Sequence, residues 1–324
     1  MADPIRYATT VEGTRLPIVD VTHPAFAVAV TDAELDALCE RYLLASRGGS
    51  QVSPQVVDAL RRSQLGRGLM AASGTYLSGI ATYLLKLGPD NLPAGADEID
   101  RRIAASLPGL TTRLRVQDVA RLLADGLTPM LRDGRDRPLA LVNLAAGVIA
   151  DSWNALIMLR VAGLLEQRAV SIVALDPDEA GPAFGKRALE ALGAHGAPLD
   201  GVAVAFRHEP YDWSNTRPLL AILRDVRPDA LCAVSSEGGL FEYASDDAIV
   251  ANLQALREGT GSETIVVGSA TREGDAARAS QIGTGIATRP RTFDAFAAIM
   301  RRGGWSVGSV IVRPFSYHVS LHKA

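Results

Sequence analysis

The sequence predicts an α/β protein: a seven-stranded, mainly parallel sheet with an antiparallel C-terminal strand, preceded by a helical N-terminal domain. From residue 139 onward, short apolar runs alternate with helical stretches, as right-handed βαβ units do. The last two apolar runs, 305–314 and 317–324, have only a short turn between them. They must therefore pair antiparallel, because a parallel pair needs a crossover. Residues 30–130 show the apolar spacing of amphipathic helices instead.

The C-terminal part contains strand candidates at regular intervals. They are 139–145, 170–175, 202–206, 230–234, 263–268, 305–314 and 317–324. The helix before the final pair is expected to begin after Thr292 as its N-cap and to end at the glycines 303–304.

The N-terminal part carries clear helix signals. Thr31 and Glu34 have the spacing of a capping box, and the glycines at 48–49 are expected to end that helix. A later amphipathic helix is expected to end at Gly126. The segment 127–138 has two prolines and several charges, which favours a hinge there.

This hinge divides the chain into two predicted domains. Residues 1–130 form a helical domain that covers the site or builds a homodimer, and residues 131–324 form the ligand-binding domain.

Composition narrows the classes of partner. The chain has 324 residues, of which 48% are hydrophobic and 21% charged, enough for a substantial core. The net charge is −3 and there is no dense Lys/Arg tract, so neither nucleic acid nor an anionic membrane is an expected partner. With no apolar leader at the start and no uninterrupted apolar stretch of about 20 residues, we expect a cytoplasmic protein.

The cysteines and histidines do not predict a metal site. Cys39 and Cys232 lie in separate apolar contexts, which favours buried free thiols over a disulfide or zinc site. His318 and His322 are four residues apart on a predicted strand, a separation of about 13 Å. We therefore expect no metal.

The stretch 141–156, LVNLAAGVIADSWNAL, predicts a strand, a small-residue turn and a helix. Such a unit is typical of a nucleotide site, but the dinucleotide motif G-x-G-x-x-G is missing. Asp151, at the helix entry, is either an N-cap or a ligand contact. As a cap it would occupy a backbone N–H that a pyrophosphate needs, and its charge would repel that anion. The turn therefore favours a cationic nucleoside over a dinucleotide.

Polar residues follow the next two strands. Asp176 lies directly before Pro177, where it is either a turn former or a ribose contact. Asp212 is equally a ligand contact or part of a turn in which Ser214 caps the next helix. His208 is a candidate base, with a surface histidine as the alternative.

The stretch 235–243, SSEGGLFEY, is the most site-like in the sequence, because serines, an acid and two glycines directly follow a buried strand. Glu237 is expected to act as a general base or to orient a substrate; the alternative is a glycine-rich turn with a solvated acid. Ser235 and Ser236 lack the G-x-S-x-G motif, so these two serines do not predict a hydrolase. Tyr243 either lines the mouth of the site or flanks the following helix.

Residues 139–324 resemble the class I S-adenosylmethionine-dependent methyltransferases, whose fold is Rossmann-like. The resemblance rests on LVNLAAG, on VALD, on FRHEPYDW and on the closing helix and hairpin, FDAFAAIMRRGGWSV to VIVRPFSYHVSLHKA. It implies that the small-residue turn holds the methionine part of the cofactor, that Asp176 holds the ribose, and that Asp212 contacts the adenine. The expected cofactor residues are Ala145, Gly147, Asp151, Asp176, Asp212 and Ser235; those at the acceptor are Glu237, His208, Ser236 and Tyr243.

The resemblance implies methyl transfer from S-adenosylmethionine to an oxygen, nitrogen or carbon atom of a small-molecule acceptor. Much of the rate enhancement could come from positioning, so no obligatory nucleophile need be visible. Two alternatives stay open at this point. One is an NAD(P)-dependent oxidoreductase, because a βαβ pattern alone does not exclude it. The other is a non-catalytic binding protein with the same fold.

Overall fold

A computed structural model describes residues 4–47 and 54–324. The N-terminal part begins with a small antiparallel sheet that the sequence pattern does not predict, β1 (Tyr7–Thr9) paired with β2 (Arg15–Pro17). Helices follow: α1 (Asp32–Ser46), α2 (Pro54–Arg62), α3 (Gln64–Ala71), α4 (Gly79–Leu87), α5 (Glu98–Ala105) and α6 (Leu107–Asp133). None of the helices within these ranges is both long enough and apolar enough to cross a membrane.

The capping box predicted for α1 is confirmed. The Thr31 hydroxyl accepts a hydrogen bond from the Glu34 N–H, and the Glu34 carboxylate accepts one from the Thr31 N–H at 2.8 Å. The predicted end of this helix at 48–49 lies outside the described residues.

The expected end of a helix at Gly126 is wrong, because α6 continues to Asp133 and includes most of the predicted hinge. A Cβ atom on Gly126 would lie 2.5 Å from the Cδ1 atom of Ile265 in the sheet. The glycine therefore permits close packing of α6 on the sheet rather than ending the helix. Leu127 and Leu131 are buried in the last turns and keep them helical by packing.

The C-terminal part alternates strands and helices as predicted. The strands are β3 (Leu139–Leu144), β4 (Val170–Leu175), β5 (Val204–Glu209), β6 (Leu231–Ser236), β7 (Ile265–Thr271), β8 (Trp305–Val312) and β9 (Ser316–Lys323). The helices are α7 (Ala150–Val161), α8 (Ala180–Leu192), α9 (Arg217–Arg224), α10 (Leu240–Tyr243), α11 (Asp246–Gly259), α12 (Asp275–Thr284) and α13 (Phe293–Arg302). Thr292 caps α13, and Gly303 follows its last residue, as expected.

The seven strands form one sheet in the order β5-β4-β3-β6-β7-β9-β8. Strand β9 is antiparallel to both of its neighbours, while β3 to β7 pair in parallel. This confirms the predicted mainly parallel sheet with one antiparallel C-terminal strand. The chain leaves β3 toward β4 on one side and later returns to pair β6 on the other side. Such a switch point is where ligands bind in open α/β sheets.

Strand β5 extends further than its apolar run, through Arg207 and His208 to Glu209. It lies at the edge of the sheet, where half-exposed polar side chains are tolerated. His208 is therefore part of this strand and does not follow it.

The N-terminal segment is anchored to both parts of the chain through buried hydrogen bonds. The Tyr83 hydroxyl of α4 donates to the Pro17 carbonyl at 2.7 Å and accepts from the Val19 N–H at 2.9 Å. From α7, the Trp153 indole N–H donates to the Val19 carbonyl at 2.7 Å, and Asn154 bonds the same carbonyl at 3.0 Å. One apolar core contains residues of both predicted domains, and a second lies wholly in the C-terminal part.

Removing the Tyr83 hydroxyl tests this anchoring. Tyr83→Phe leaves the Val19 N–H and the Pro17 carbonyl without their partner in a fully buried site. We expect the free energy of unfolding to fall by roughly 1–3 kcal/mol, measured by urea denaturation. Tyr7→Phe is the matched control, because Tyr7 is 41% exposed, and it should leave the transition midpoint unchanged. An equal loss of unfolding free energy in both variants would contradict the anchoring role of the Tyr83 hydroxyl.

Candidate functional site

A cavity of about 410 Å³ lies at the carboxyl ends of β3, β4 and β6, beneath α3, α4 and α6. Its size is within the usual range of small-molecule sites, roughly 300–1,000 Å³. The wall is formed by Gly68, Ala71, Ala72, Thr75, Tyr76, Leu77, Ser78, Gly79, Thr82, Lys86, Arg115, Ala145, Ala146, Gly147, Val148, Asp176, Pro177, Asp178, Trp213, Glu237, Gly238, Gly239 and Tyr243. Five of the ten residues that the sequence singled out are on it: Ala145, Gly147, Asp176, Glu237 and Tyr243.

The small-residue turn after β3 uses its own backbone donors. The N–H of Ala146 bonds the Leu175 carbonyl at 3.2 Å, and the N–H of Ile149 bonds the Ala146 carbonyl at 2.9 Å. The N–H of Gly147 bonds the Asp176 carboxylate at 2.8 Å. A pyrophosphate needs such N–H groups free, so this turn is poorly suited to a dinucleotide.

Helix α4 contacts the same turn directly. A Cβ atom on Gly79, the first residue of α4, would lie 2.9 Å from the Gly147 Cα atom, so only glycine permits this approach. The turn itself has positive φ values at Ala145 and Ile149, 53° and 60°, which are uncommon for non-glycine residues. The N-terminal helices and the turn therefore shape one wall together.

Asp176 lies on the cavity wall at the end of β4 and fixes the turn. Besides the Gly147 N–H, its carboxylate accepts the Asp178 N–H at 2.9 Å. Burial raises the pKa of Asp176, although these hydrogen bonds oppose the rise. A carboxylate offers about four acceptor positions, so Asp176 keeps two for a ligand.

Asp212 and His208 lie away from the wall of this cavity. Asp212 is exposed, and its carboxylate accepts the Ser214 N–H at 2.8 Å, as expected for a turn. The expected cap by Ser214 is wrong, because the N-cap position of α9 is Thr216 and makes no side-chain cap. The His208 ring bonds the Asp176 backbone carbonyl through Nε2 at 2.8 Å. A nitrogen bonded to a carbonyl oxygen must carry the proton, so this atom is not available as a base.

A buried ion-pair network forms the deep wall of the cavity. Glu237 pairs with Lys86 of α4 and with Nε of Arg115 of α6, the latter at 2.8 Å. Arg115 also bonds both oxygens of Glu242 at 3.2 Å, and the Ser269 hydroxyl donates to Glu242 at 2.9 Å. The cations come from the N-terminal helices and the acids from the C-terminal part.

These contacts decide the chemistry of Glu237. Burial raises the pKa of Glu237, but the charges of Lys86 and Arg115 outweigh burial and hold it below its usual value. A carboxylate with a lowered pKa is a weak base. Of its two expected roles, the geometry favours orienting a ligand over removing a proton.

Lys86 and Arg115 are not among the residues that the sequence singles out as site candidates, although one signal points to Lys86. Lys86 interrupts the apolar run YLLKL, residues 83–87, in which every neighbour is buried. A lysine in such a run is rarely buried unless it is paired. Its acidic partner, 151 residues away, could not be read from the sequence.

Asp151 lies behind the cavity wall and does not cap α7. The helix begins at Ala150, and the position before it, Ile149, makes no side-chain cap. The Asn143 amide donates to both Asp151 oxygens, at 3.2 and 3.3 Å, and to the Ser235 hydroxyl at 2.6 Å. Burial, followed by the charge of Glu237, raises the pKa of Asp151 to about 6.

Ser235 and Ser236 do not follow the strand as expected but are the last two residues of β6; both are buried and are not part of the wall. Ser235 belongs to the Asn143 network, and the Ser236 hydroxyl accepts the Leu240 N–H at 3.0 Å, which fixes the start of α10.

Aromatic rings border the open side of the cavity. The Tyr76 ring lies 5.9 Å from that of Trp213 and 6.0 Å from that of Tyr243. Tyr76 is 44% exposed, so part of this aromatic surface is accessible to a ligand. Tyr83, by contrast, is core.

Comparison with known proteins supports the fold. The chain matches no family model and no curated protein by sequence. A possible exported protein from Bordetella parapertussis aligns with a TM-score of 0.57 and 16% identity, over 91% of this chain and 98% of that chain.

Two further structures align with lower TM-scores. The pyocyanin biosynthetic protein PhzM aligns with a TM-score of 0.45 and 16% identity, over 91% of this chain and 74% of that one. Magnesium protoporphyrin IX methyltransferase from Synechocystis, solved with bound S-adenosylhomocysteine, aligns with a TM-score of 0.44 and 13% identity, over 71% and 90%. The strand order and the single antiparallel strand are those of the class I methyltransferase fold.

The described residues include no group of three or more His, Cys, Asp or Glu that could hold a metal ion.

The raised pKa of Asp151 predicts a pH dependence of stability. Its pKa is about 6 in the folded protein, against an ordinary value of 3.8, so the folded state holds the proton more tightly than the unfolded chain. The resulting stabilisation is complete below about pH 4 and is lost as the pH rises through 6.

We expect the unfolding free energy of the native protein to fall by roughly 2–3 kcal/mol relative to Asp151→Asn between about pH 4 and pH 7. Urea denaturation at each pH gives the unfolding free energy of both proteins. In their difference, the contributions of groups that titrate in both proteins cancel. A pH-independent difference would show that Asp151 has an ordinary pKa.

Proposed function

We propose that the protein is an S-adenosylmethionine-dependent methyltransferase acting on a small-molecule acceptor. The observation that carries this proposal is Asp176, which lies on the wall of a cavity at the switch point of a class I methyltransferase sheet. Its two unused acceptor positions match the two hydroxyls of a ribose.

The residues present fit the cofactor in charge. Asp176 would hold the ribose, and the turn at Ala145–Gly147 would lie beside the methionine part. Glu237 offers a carboxylate to the cofactor ammonium, and the cations Lys86 and Arg115 lie next to it for the cofactor carboxylate. The cofactor, when bound, supplies a methyl group on a positively charged sulfur.

The chain's own contribution to the reaction is binding and orientation. Glu237 is held rigidly by two cations and keeps a negative charge at the deep end of the cavity. Tyr76, Trp213 and Tyr243 offer ring faces to an acceptor with an apolar or aromatic body. Methyl transfer to such an acceptor would be promoted chiefly by positioning. His208 and Asp212 have no role in this proposal.

Two residues of the cavity wall support the proposal that the N-terminal helices act as a cap. Lys86 of α4 and Arg115 of α6 both lie on this wall. The other expectation, that this part of the chain builds a homodimer, stays a prediction.

A non-catalytic binding protein is the second candidate, because the cations that contact Glu237 are themselves buried and paired. In a non-catalytic protein this network would serve only to hold α4 and α6 over the cavity. Binding of S-adenosylhomocysteine without methyl transfer to any acceptor in a panel of phenols, amines and carboxylic acids would favour this candidate.

The cofactor assignment is tested by removing the Asp176 carboxylate. Hydrogen bonds to a charged group contribute roughly 1.5–3 kcal/mol, so Asp176→Ala should weaken S-adenosylhomocysteine binding roughly 10- to 150-fold, measured by calorimetric titration. Asp212→Ala is the matched control, because Asp212 follows the neighbouring strand but lies outside the cavity. The affinity of the Asp212→Ala variant for S-adenosylhomocysteine should equal that of the native protein.

Because Asp176 also bonds the Gly147 N–H, the Asp176→Asn variant accompanies Asp176→Ala. It keeps the size of the side chain and one acceptor, and its loss of affinity should be smaller. Unchanged affinity in Asp176→Ala, or a melting temperature that rises with NAD and not with S-adenosylhomocysteine, would overturn the assignment.

A further inference from the structure

A chain of buried hydrogen bonds joins Asp118 of α6 to His318 and Ser316 of β9, outside the first cavity. His318 of β9 is fully buried. Its Nδ1 atom lies 3.0 Å from Oδ2 of Asp118, and its Nε2 atom lies 2.8 Å from Oγ of Ser316. An ionised carboxylate can only accept, so Nδ1 carries the proton. In the neutral imidazole Nε2 is then the acceptor, and the Ser316 hydroxyl donates to it.

Asp118 is held in the ionised state that this tautomer requires. Arg313 donates to it through Nε at 2.7 Å and through Nη2 at 3.1 Å. Burial raises the pKa of Asp118, but the hydrogen bonds from His318 and Arg313 outweigh burial and lower it.

The serine end of this chain reaches a second cavity of about 130 Å³. Leucine side chains, including Leu69 and Leu85, give its wall an apolar part, and threonine hydroxyls give a polar one. Thr271 lies directly opposite Ser316 in the pairing of β7 with β9, so the two side chains share one face of the sheet. Both residues line the second cavity.

A serine, a histidine and a carboxylate in hydrogen-bond contact are recognised as a catalytic unit by geometry and tautomer, not by their order in the chain. We propose that Ser316, His318 and Asp118 form a nucleophilic site that takes the acyl group of a small ester, with the second cavity as the acyl pocket. The volume of about 130 Å³ restricts the acyl group to a few carbon atoms.

The reaction uses only the ester and water. Ser316 Oγ forms a bond to the carbonyl carbon while its proton passes to His318 Nε2. The bond from that carbon to the alcohol oxygen breaks, and the alcohol leaves with the proton from His318. Water then attacks the acyl carbon and gives a proton to His318. The bond from that carbon to Ser316 Oγ breaks as His318 returns a proton to this oxygen, and the carboxylic acid is released. Asp118 does not touch the substrate and acts as a positioning residue.

Methanesulfonyl fluoride, a small reagent that sulfonylates activated serines with loss of fluoride, tests the proposal. We expect one adduct per chain by intact mass, and peptide mapping should place it on Ser316. In Ser316→Ala the adduct should disappear, and hydrolysis of 4-nitrophenyl acetate should fall roughly 1,000-fold. Ser306→Ala, which changes an exposed serine of the neighbouring strand β8 outside both cavities, is the control and should react as the native protein does.

Asp118→Asn should slow ester hydrolysis through kcat with little change in KM, because it disturbs the histidine tautomer and not the acyl pocket. Peptide mapping of the native protein needs no substitution, so the test holds even if a variant does not fold. An unmodified native protein, an adduct on another residue, or undiminished labelling of Ser316→Ala would each overturn the proposal. None of these outcomes depends on S-adenosylmethionine.

Discussion

The arrangement of the whole site depends on one carboxylate shared by two cations. Glu237, at the end of β6, is paired with Lys86 of α4 and Arg115 of α6. A buried charge without its partners is strongly destabilising, commonly by about 3–5 kcal/mol. These pairs therefore fix the positions of two N-terminal helices over the strand ends, and the cavity beneath them owes its shape to that constraint. The same contacts lower the basicity of Glu237, so its structural and chemical roles have one cause.

The sequence predicts the sheet well because its signals are local. Each apolar run marks a strand, and the short turn between β8 and β9 determines their antiparallel pairing. Asp176 is found the same way, as an acid at the carboxyl end of a parallel strand. The misses have a different origin. The position of Gly126 predicts a helix end, but the glycine permits close packing against Ile265. Lys86 interrupts an apolar run, but the sequence does not show which acid pairs with it. Both depend on partners more than a hundred residues away.

The two cavities are physically linked. Leu77, Arg115 and Tyr243 are part of both walls, and Arg115 already divides its hydrogen bonds between Glu237 and Glu242. Helix α6 continues from Arg115 to Asp118, one turn further along, where the Asp–His–Ser chain begins. One rigid element thus supports the deep wall of the first cavity and the carboxylate behind the second, so the two proposed activities share a scaffold although they share no reacting group.

The position of Asp118 in the chain has a consequence for how the protein is made. Its partners Arg313 and His318 lie 195 and 200 residues further along the chain. During synthesis on the ribosome, α6 emerges long before either partner exists, and its buried carboxylate must remain in water until then. The N-terminal helices therefore cannot complete their native packing before β9 has been synthesised, about 200 residues later. Until then the apolar surface around α6 stays exposed, which favours aggregation of the partly folded chain.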